Sequence, residues 1–259
     1  MICLLHIRKD NLLFLQQLAI HMKKILLFLL FVSNGFYAQT IQILEKGDTL
    51  QKPKYQQFIY LSDSTDISSA KFVAKIKSRG SLKHTTNLYY FIRNEAQRLG
   101  ANAYRFESFT KTDGDINGEL ILSAFFCEDS LFDDNFQHIP KNKIFIFGND
   151  DMTEHKTQGY KVQGKKYEID CGQFRVFDIN EKDEIQITKG GFTGTTLWYK
   201  RKDGGYSSFL TFSGFGINGG GATYSPGYSG VGVSFSTGKI NHVEPNLALA
   251  LLRIYEEQK

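Results

Sequence analysis

A cysteine nucleophile needs an imidazole close by to generate and hold the thiolate. Beyond residue 38 the chain offers two thiols, Cys127 and Cys171, and four histidines, His84, His138, His155 and His242. Cys171, in EIDCGQF, is the better-placed nucleophile, with His155 or His242 as its base. The flanking residues have a strand pattern, in which burial or a disulfide is the more ordinary fate of a cysteine. In an exported chain Cys127 and Cys171 are candidates to pair, whereas in a reducing compartment they stay thiols. Pairing requires Cα atoms within about 7 Å of each other, which sequence does not supply. Both alternatives stay open.

Carboxylates give the second set of candidates. Glu168 and Asp170 alternate on one strand face and imitate a glycosidase pair, but that chemistry needs carboxylates on two sides of a sugar. Asp150, Asp151, Glu154 and His155 crowd into the polar loop GNDDMTEHKTQG. No rigid spacing there would converge three ligands on one metal ion. The serine-rich stretches lack the GxSxG nucleophile elbow. SGFGINGGGATYSPGYSGVGVSFSTGK, with nine glycines from Gly214 to Gly238, lacks the GxxxxGK[ST] phosphate loop and does not lead into a helix. No catalytic, cofactor or metal site is therefore assigned. Within the Gly-rich stretch, Tyr224 and Tyr228 are aromatic groups on an adaptable Gly/Ser backbone, a combination suited to contacting an envelope protein or a glycan.

Charge narrows the partners. The formal charge is +4, but residues 1–38 carry Arg8, Lys9, Lys23 and Lys24 against Asp10 alone, which leaves 27 Lys and Arg against 26 Asp and Glu in the remainder. That near-balance gives no electrostatic footprint for nucleic acid, and KTQGYKVQGKKYE reads as a solvated strand face. The basic excess belongs to a segment that reads Met22-Lys-Lys, then ILLFLLFV, then SNGFYA and Gln39. A positive start, a short apolar run and a small residue at Ala38 make a secretory signal. The run is too short for a confident membrane span. Export to the periplasm or the extracellular space is the expectation, with Met22 as the true start and no stable transmembrane span after cleavage. The alternative is that residues 1–21 are translated and lengthen the signal into an anchor.

The elements that must position these residues follow from periodicity. TIQILEK, FIYL and KFVAKIK read as strands, with Phe72, Ala74 and Ile76 on one face. TTNLYYFIRNEAQRLGANA is an amphipathic helix with Thr85, Thr86 or Asn87 as its cap and Gly100 as its stop. YRFESF and GELILSAFF return as a strand pair. The prediction is an α+β chain: a small α/β sandwich domain over 39–129 in the order strand, strand, helix, strand, strand, then a linker over 130–141 signalled by SLFDDNFQHIPKNK. A mostly antiparallel β-sandwich domain over 142–259 follows, carrying the Gly-rich loop and a C-terminal helix after Pro245 with Asn241 or Asn246 as a turn or cap.

Leu99, Gly100, Ala101, Asn102 and Ala103, after Ala96, resemble the LGAN-type helix end of a small α/β domain found in bacterial envelope proteins, over about residues 55–128. Some relatives are described as metal-binding, and no cysteine or histidine cluster here carries that property over. KIFIFG and KVQGKKYEIDCGQFRVFDI resemble phrases of small immunoglobulin-like β-sandwich domains of bacterial envelope proteins. These resemblances imply an exported, envelope-associated structural or binding module without enzymatic activity. The competing expectation is a secreted hydrolase using Cys171 or a carboxylate pair.

Overall fold

The computed structural model describes Lys23 and residues 39–47, 57–181, 184–190, 194–213 and 238–259. The proposed signal segment, apart from Lys23, and the stretch with Tyr224 and Tyr228 lie outside the described residues. The chain divides into Met1–Ala38 and a compact unit, Gln39–Lys259. In that unit the fold is α+β, with mixed parallel and antiparallel sheets and, among the described residues, three α-helices.

The first sheet contains β1 (Thr40–Lys46), β2 (Ile59–Tyr60), β3 (Lys71–Ser81), β4 (Ala103–Thr112) and β5 (Asn117–Phe126), in the order β1-β3-β5-β4-β2. Its pairs are antiparallel except for β2 with β4. Helix α1 (Thr85–Arg98) lies on one face, burying Leu88, Tyr89, Ile92 and Ala96. A bulge between Phe72 and Ala74 breaks the simple alternation expected of β3. Val73, Ala74 and Ile76 face the helix, while Phe72 turns to the opposite side and meets Phe125 edge-on. One inserted residue is enough, because side chains alternate with a period of two.

None of the expected residues caps α1. A 3₁₀ turn at Leu82–His84 precedes it, and the residue at the cap, His84, makes no side-chain capping bond. Thr85 donates its hydroxyl back to the Leu82 carbonyl, and Thr86 donates to Asp150. Gly100, at φ 100°, ends the helix as expected, with the Ala101 N–H returning to the Ala96 carbonyl at 2.9 Å. Asn102 then does more than end a helix. Its Nδ2 donates to the Cys127 carbonyl at 2.7 Å and its Oδ1 accepts the Cys127 N–H at 2.8 Å, so the side chain extends the sheet pairing by one rung.

The expected linker is instead α2 (Asp129–His138), with Leu131, Phe132 and Asn135 buried. Its acidic residues occupy the solvent side and Pro140 follows its end, so those breaker signals mark a helix stop. Asn135 fastens it to the first sheet, donating to the Tyr60 carbonyl and accepting from Ser62 N–H and the Thr65 hydroxyl.

The described residues after α2 form two further sheets and one more helix. The second sheet contains β6 (Lys143–Phe147), β9 (Gln173–Asp178), β12 (Ser208–Ser213), β13 (Lys239–His242) and β14 (Glu256–Glu257), ordered β13-β12-β6-β9-β14. It is mixed, because β12 runs parallel to β6 and β14 parallel to β9. The third sheet is antiparallel, with β7 (Thr157–Val162), β8 (Lys165–Asp170), β10 (Glu184–Lys189) and β11 (Thr195–Lys200) ordered β11-β10-β7-β8.

The unbroken apolar run KIFIF is explained by burial on both faces. Ile144 and Ile146 pack with Ile187, Tyr160 and Leu210 between the second and third sheets. Phe145 and Phe147 point the other way, into a cluster with Leu88 and Tyr89 of α1, Tyr104 of the first sheet, and Leu247 and Leu251 of α3 (Pro245–Ile254). The two halves expected as separate domains thus share one apolar cluster, with α1 and α3 between the first and second sheets.

Candidate functional site

Glycine at 148 is a steric requirement: a Cβ there would come within 1.8 Å of the Asp170 carbonyl oxygen. Its N–H donates to Gln173 O at 2.9 Å, and Gly172 N–H donates to Asn149 O at 3.1 Å. The chain leaving β6 is thereby held against the β8–β9 turn and directed toward the start of α1. There the Thr85 N–H donates to the Asp150 backbone carbonyl at 3.2 Å, and the Asp150 carboxylate accepts the Thr86 hydroxyl at 2.9 Å.

A second carboxylate arrives from β13. Glu244 is the N-cap of α3, immediately before Pro245. Its Oε1 accepts from the Asn246 backbone N–H (3.2 Å) and Nδ2 (2.7 Å), and its Oε2 accepts the Leu247 N–H at 2.8 Å. These are the orphan donors of a helix start, where negative charge is also favoured by the helix dipole. Neither expected asparagine is the cap; Asn246 is one of its partners.

These two helix starts open onto a cleft of about 350 Å³, lined among others by Tyr90, Phe147, Asp150, His242, Glu244 and Tyr255. None of its described lining residues is Lys or Arg. Burial pushes the Tyr90 phenol up, and the Glu244 charge, with a smaller share from Asp150, pushes it further against the opposing pull of Arg93. Desolvation lowers His242, which favours the neutral imidazole. Tyr255 follows α3 and sets its ring edge-on against Phe147 at 6.0 Å. Burial, then the charges of Asp150 and Cys171, raise its phenol. Tyr255 is 6% exposed, and its hydroxyl has no hydrogen-bond partner.

The thiols and carboxylates singled out in the sequence lie elsewhere, apart from Asp150. Cys127 and Cys171 are both free thiols. Cys127 is buried among Leu61, Phe125 and Phe132 under α2, where burial pushes its thiol up to about 12. Cys171 sits in the β8–β9 turn and donates its S–H to the Lys156 carbonyl at 3.2 Å. It is not among the cleft residues. Of its two expected bases, His242 lines the cleft and His155 stays in the loop before β7. Asp170 accepts the Thr157 hydroxyl at 2.6 Å and Glu168 is exposed on the same strand, and neither lines the cleft.

The acids of the GNDDMTEH loop diverge. Asp150 holds Thr86, Asp151 accepts from the Thr153 N–H and hydroxyl, and Glu154 pairs with Lys156 at 2.7 Å. No group of three metal-capable side chains occurs among the described residues. No helix among them is long and apolar enough to cross a membrane.

Tyr90, Glu244 and Tyr255 carry no motif in the sequence. The one available signal was Glu244 directly before a proline that opens a helix, which marks a cap. Compared with protein-family models, curated proteins and solved structures, the chain matches none of them.

Proposed function

We propose that this protein is an exported, envelope-associated binding module without catalytic activity, and that the cleft between α1, α3 and the second sheet is its binding site. The cleft itself carries the reading: about 350 Å³ of space where two helix starts meet the end of β6, walled by apolar and aromatic side chains with a few polar groups, the usual make-up of a small-molecule site. The carboxylates support binding over catalysis. Glu244 spends both oxygens on the start of α3 and Asp150 holds Thr86, so both carboxylates are engaged in structural hydrogen bonds. Export rests on Met22-Lys-Lys and ILLFLLFV. The envelope-domain resemblances rest on the sequence phrases alone; the second and third sheets do pack through Ile144, Ile187 and Leu210, but the parallel pairs β6–β12 and β9–β14 depart from a mostly antiparallel sandwich.

The test is to purify the protein from envelopes of its native cells, denature it and identify released small molecules by mass spectrometry. A compound released by the wild type and missing from a Leu251→Trp variant, which fills the cleft, is the expected result. Turnover of ester, peptide or glycoside substrates that is lost in Asp150→Asn or Cys171→Ala would overturn the non-catalytic reading in favour of a hydrolase. N-terminal sequencing of the same material is expected to begin at Gln39; a cytosolic protein that retains Met22 would remove the export claim.

A further inference from the structure

Side chains alternate along the strands of the third sheet, so Val162, Ile169, Ile187 and Tyr199 enter the core while their neighbours face outward. Trp198 is one of those neighbours and is 59% exposed. Among the described residues its ring has no aromatic or cationic partner and its Nε1–H no hydrogen bond. It stands directly opposite Gln186, with the Thr188–Thr196 pair on one side and the Glu184–Lys200 pair on the other. The two threonine hydroxyls lie 3.2 Å apart, and Lys200 reaches Glu184 at 3.7 Å. Across the sheet from Thr188 comes Lys161, and opposite Lys161 comes Lys166. Both lysines are exposed, and among the described residues neither has an ion pair or a hydrogen bond. Like charges set directly opposite each other are destabilising, and no acid intervenes between these two.

We infer that the outward face of the third sheet binds an acidic oligosaccharide, one pyranose ring stacked on Trp198 and a uronate-type carboxylate held by Lys161 and Lys166. A pyranose ring has a face of C–H groups and a rim of hydroxyls. The C–H face suits the electron-rich face of an indole. The hydroxyls, which donate and accept, match the Gln186 carboxamide and the threonine pair. The carboxylate supplies the charge that the two opposed lysines lack. Trp198 and Lys161 are two strands and two residues apart in the ladder, about 12 Å by ordinary sheet spacing, so the ligand is a short oligosaccharide and not a single sugar. A protein interface centres on several apolar side chains, whereas Trp198 is the one large apolar residue facing outward on these described strands. A polyphosphate chain would meet Glu168 and Glu184 on the same face and would find one stacking platform where successive bases use several. Neither Trp198 nor the two lysines line the cleft, so this site goes beyond the cleft reading.

The experiment follows the fluorescence of Trp198, the single tryptophan, in the full chain. The probes are trigalacturonic acid, a hyaluronan tetrasaccharide, the trimethyl ester of trigalacturonic acid, and hexathymidylate. A saturable change with at least one of the two uronates is expected, and the uncharged ester should bind trigalacturonate's site at least roughly tenfold more weakly, the worth of a hydrogen bond to a charged group. The double variant Lys161→Ala/Lys166→Ala should lose on the order of tenfold in uronate affinity while its melting temperature holds or rises, because an opposed like-charge pair is removed. Trp198→Ala, followed by calorimetry, should lose detectable binding with its melting temperature unchanged. No saturable change with either uronate overturns the assignment. Unaltered uronate affinity in the lysine variant, or equal affinity for the ester, removes the carboxylate from it. Tighter binding of hexathymidylate than of both uronates replaces the sugar with single-stranded nucleic acid. The cleft reading stands or fails separately, on the released-compound experiment above.

Discussion

His242 sits where its protonation is coupled to folding. Although His242 is exposed at the end of β13, partial desolvation depresses its pKa below the ordinary 6.5, so the folded protein binds a proton there less readily than the unfolded chain does. The stability this contributes is present above pH 6.5 and is lost as pH falls through the depressed value. Urea midpoints measured from pH 7.5 down to pH 5 should therefore fall, and His242→Gln should flatten part of that slope; an unchanged slope would show that other groups set it.

Asn102 is the second residue whose environment dictates a result. It bridges both backbone groups of Cys127, and Asn102→Ala leaves a buried N–H and C=O unpaired, at a cost of about 2–4 kcal/mol. Chemical denaturation checks this, and Asn102→Asp should not rescue it because the donor to the Cys127 carbonyl is lost. Thiol labelling of the native protein should modify Cys171 quickly and Cys127 only on unfolding, since burial holds the Cys127 thiol up at about 12.

Among the elements, α2 shows how a helix can resemble a linker. SLFDDNFQHIPKNK contains two adjacent aspartates and a proline, yet Leu131, Phe132 and Asn135 fall on the side that meets the first sheet. The apolar stripe is too narrow to stand out by periodicity, and its decisive contact is polar: Asn135 satisfies Tyr60, Ser62 and Thr65, 70 to 75 residues earlier in the chain. Phe132→Ala should cost about 3–5 kcal/mol, the usual range for a buried phenylalanine, with equilibrium unfolding as the measurement. A change below 1 kcal/mol would mean that the helix is docked by Asn135 alone. The α1 start shows the opposite case. Three good capping residues stand at its head, but the preceding 3₁₀ turn takes the place of the cap and leaves Thr86 free to bind Asp150.

At the scale of the molecule, the cluster joining Tyr104, Leu88, Phe147 and Leu251 crosses both halves of Gln39–Lys259. The halves should lose protection together. Hydrogen exchange in β3 and β5 and in β6 and β12 is expected to disappear at the same denaturant concentration; two separated transitions would contradict the shared core. Trp198, the chain's single tryptophan, is 59% exposed on the third sheet, so acrylamide should quench it almost fully before unfolding. The sequence by itself determined the α+β class, most strand positions, the stop of α1 at Gly100 and the helix after Pro245, because these depend on local periodicity and on backbone preferences of Gly and Pro. Tertiary structure alone decided that 39–129 and 142–259 share a core, that Phe72 changes face at a bulge, and that Tyr90, Asp150, Glu244 and Tyr255 meet. Those residues are up to 165 positions apart along the chain, and only the meeting of two helix starts at the end of β6 brings them around one cleft.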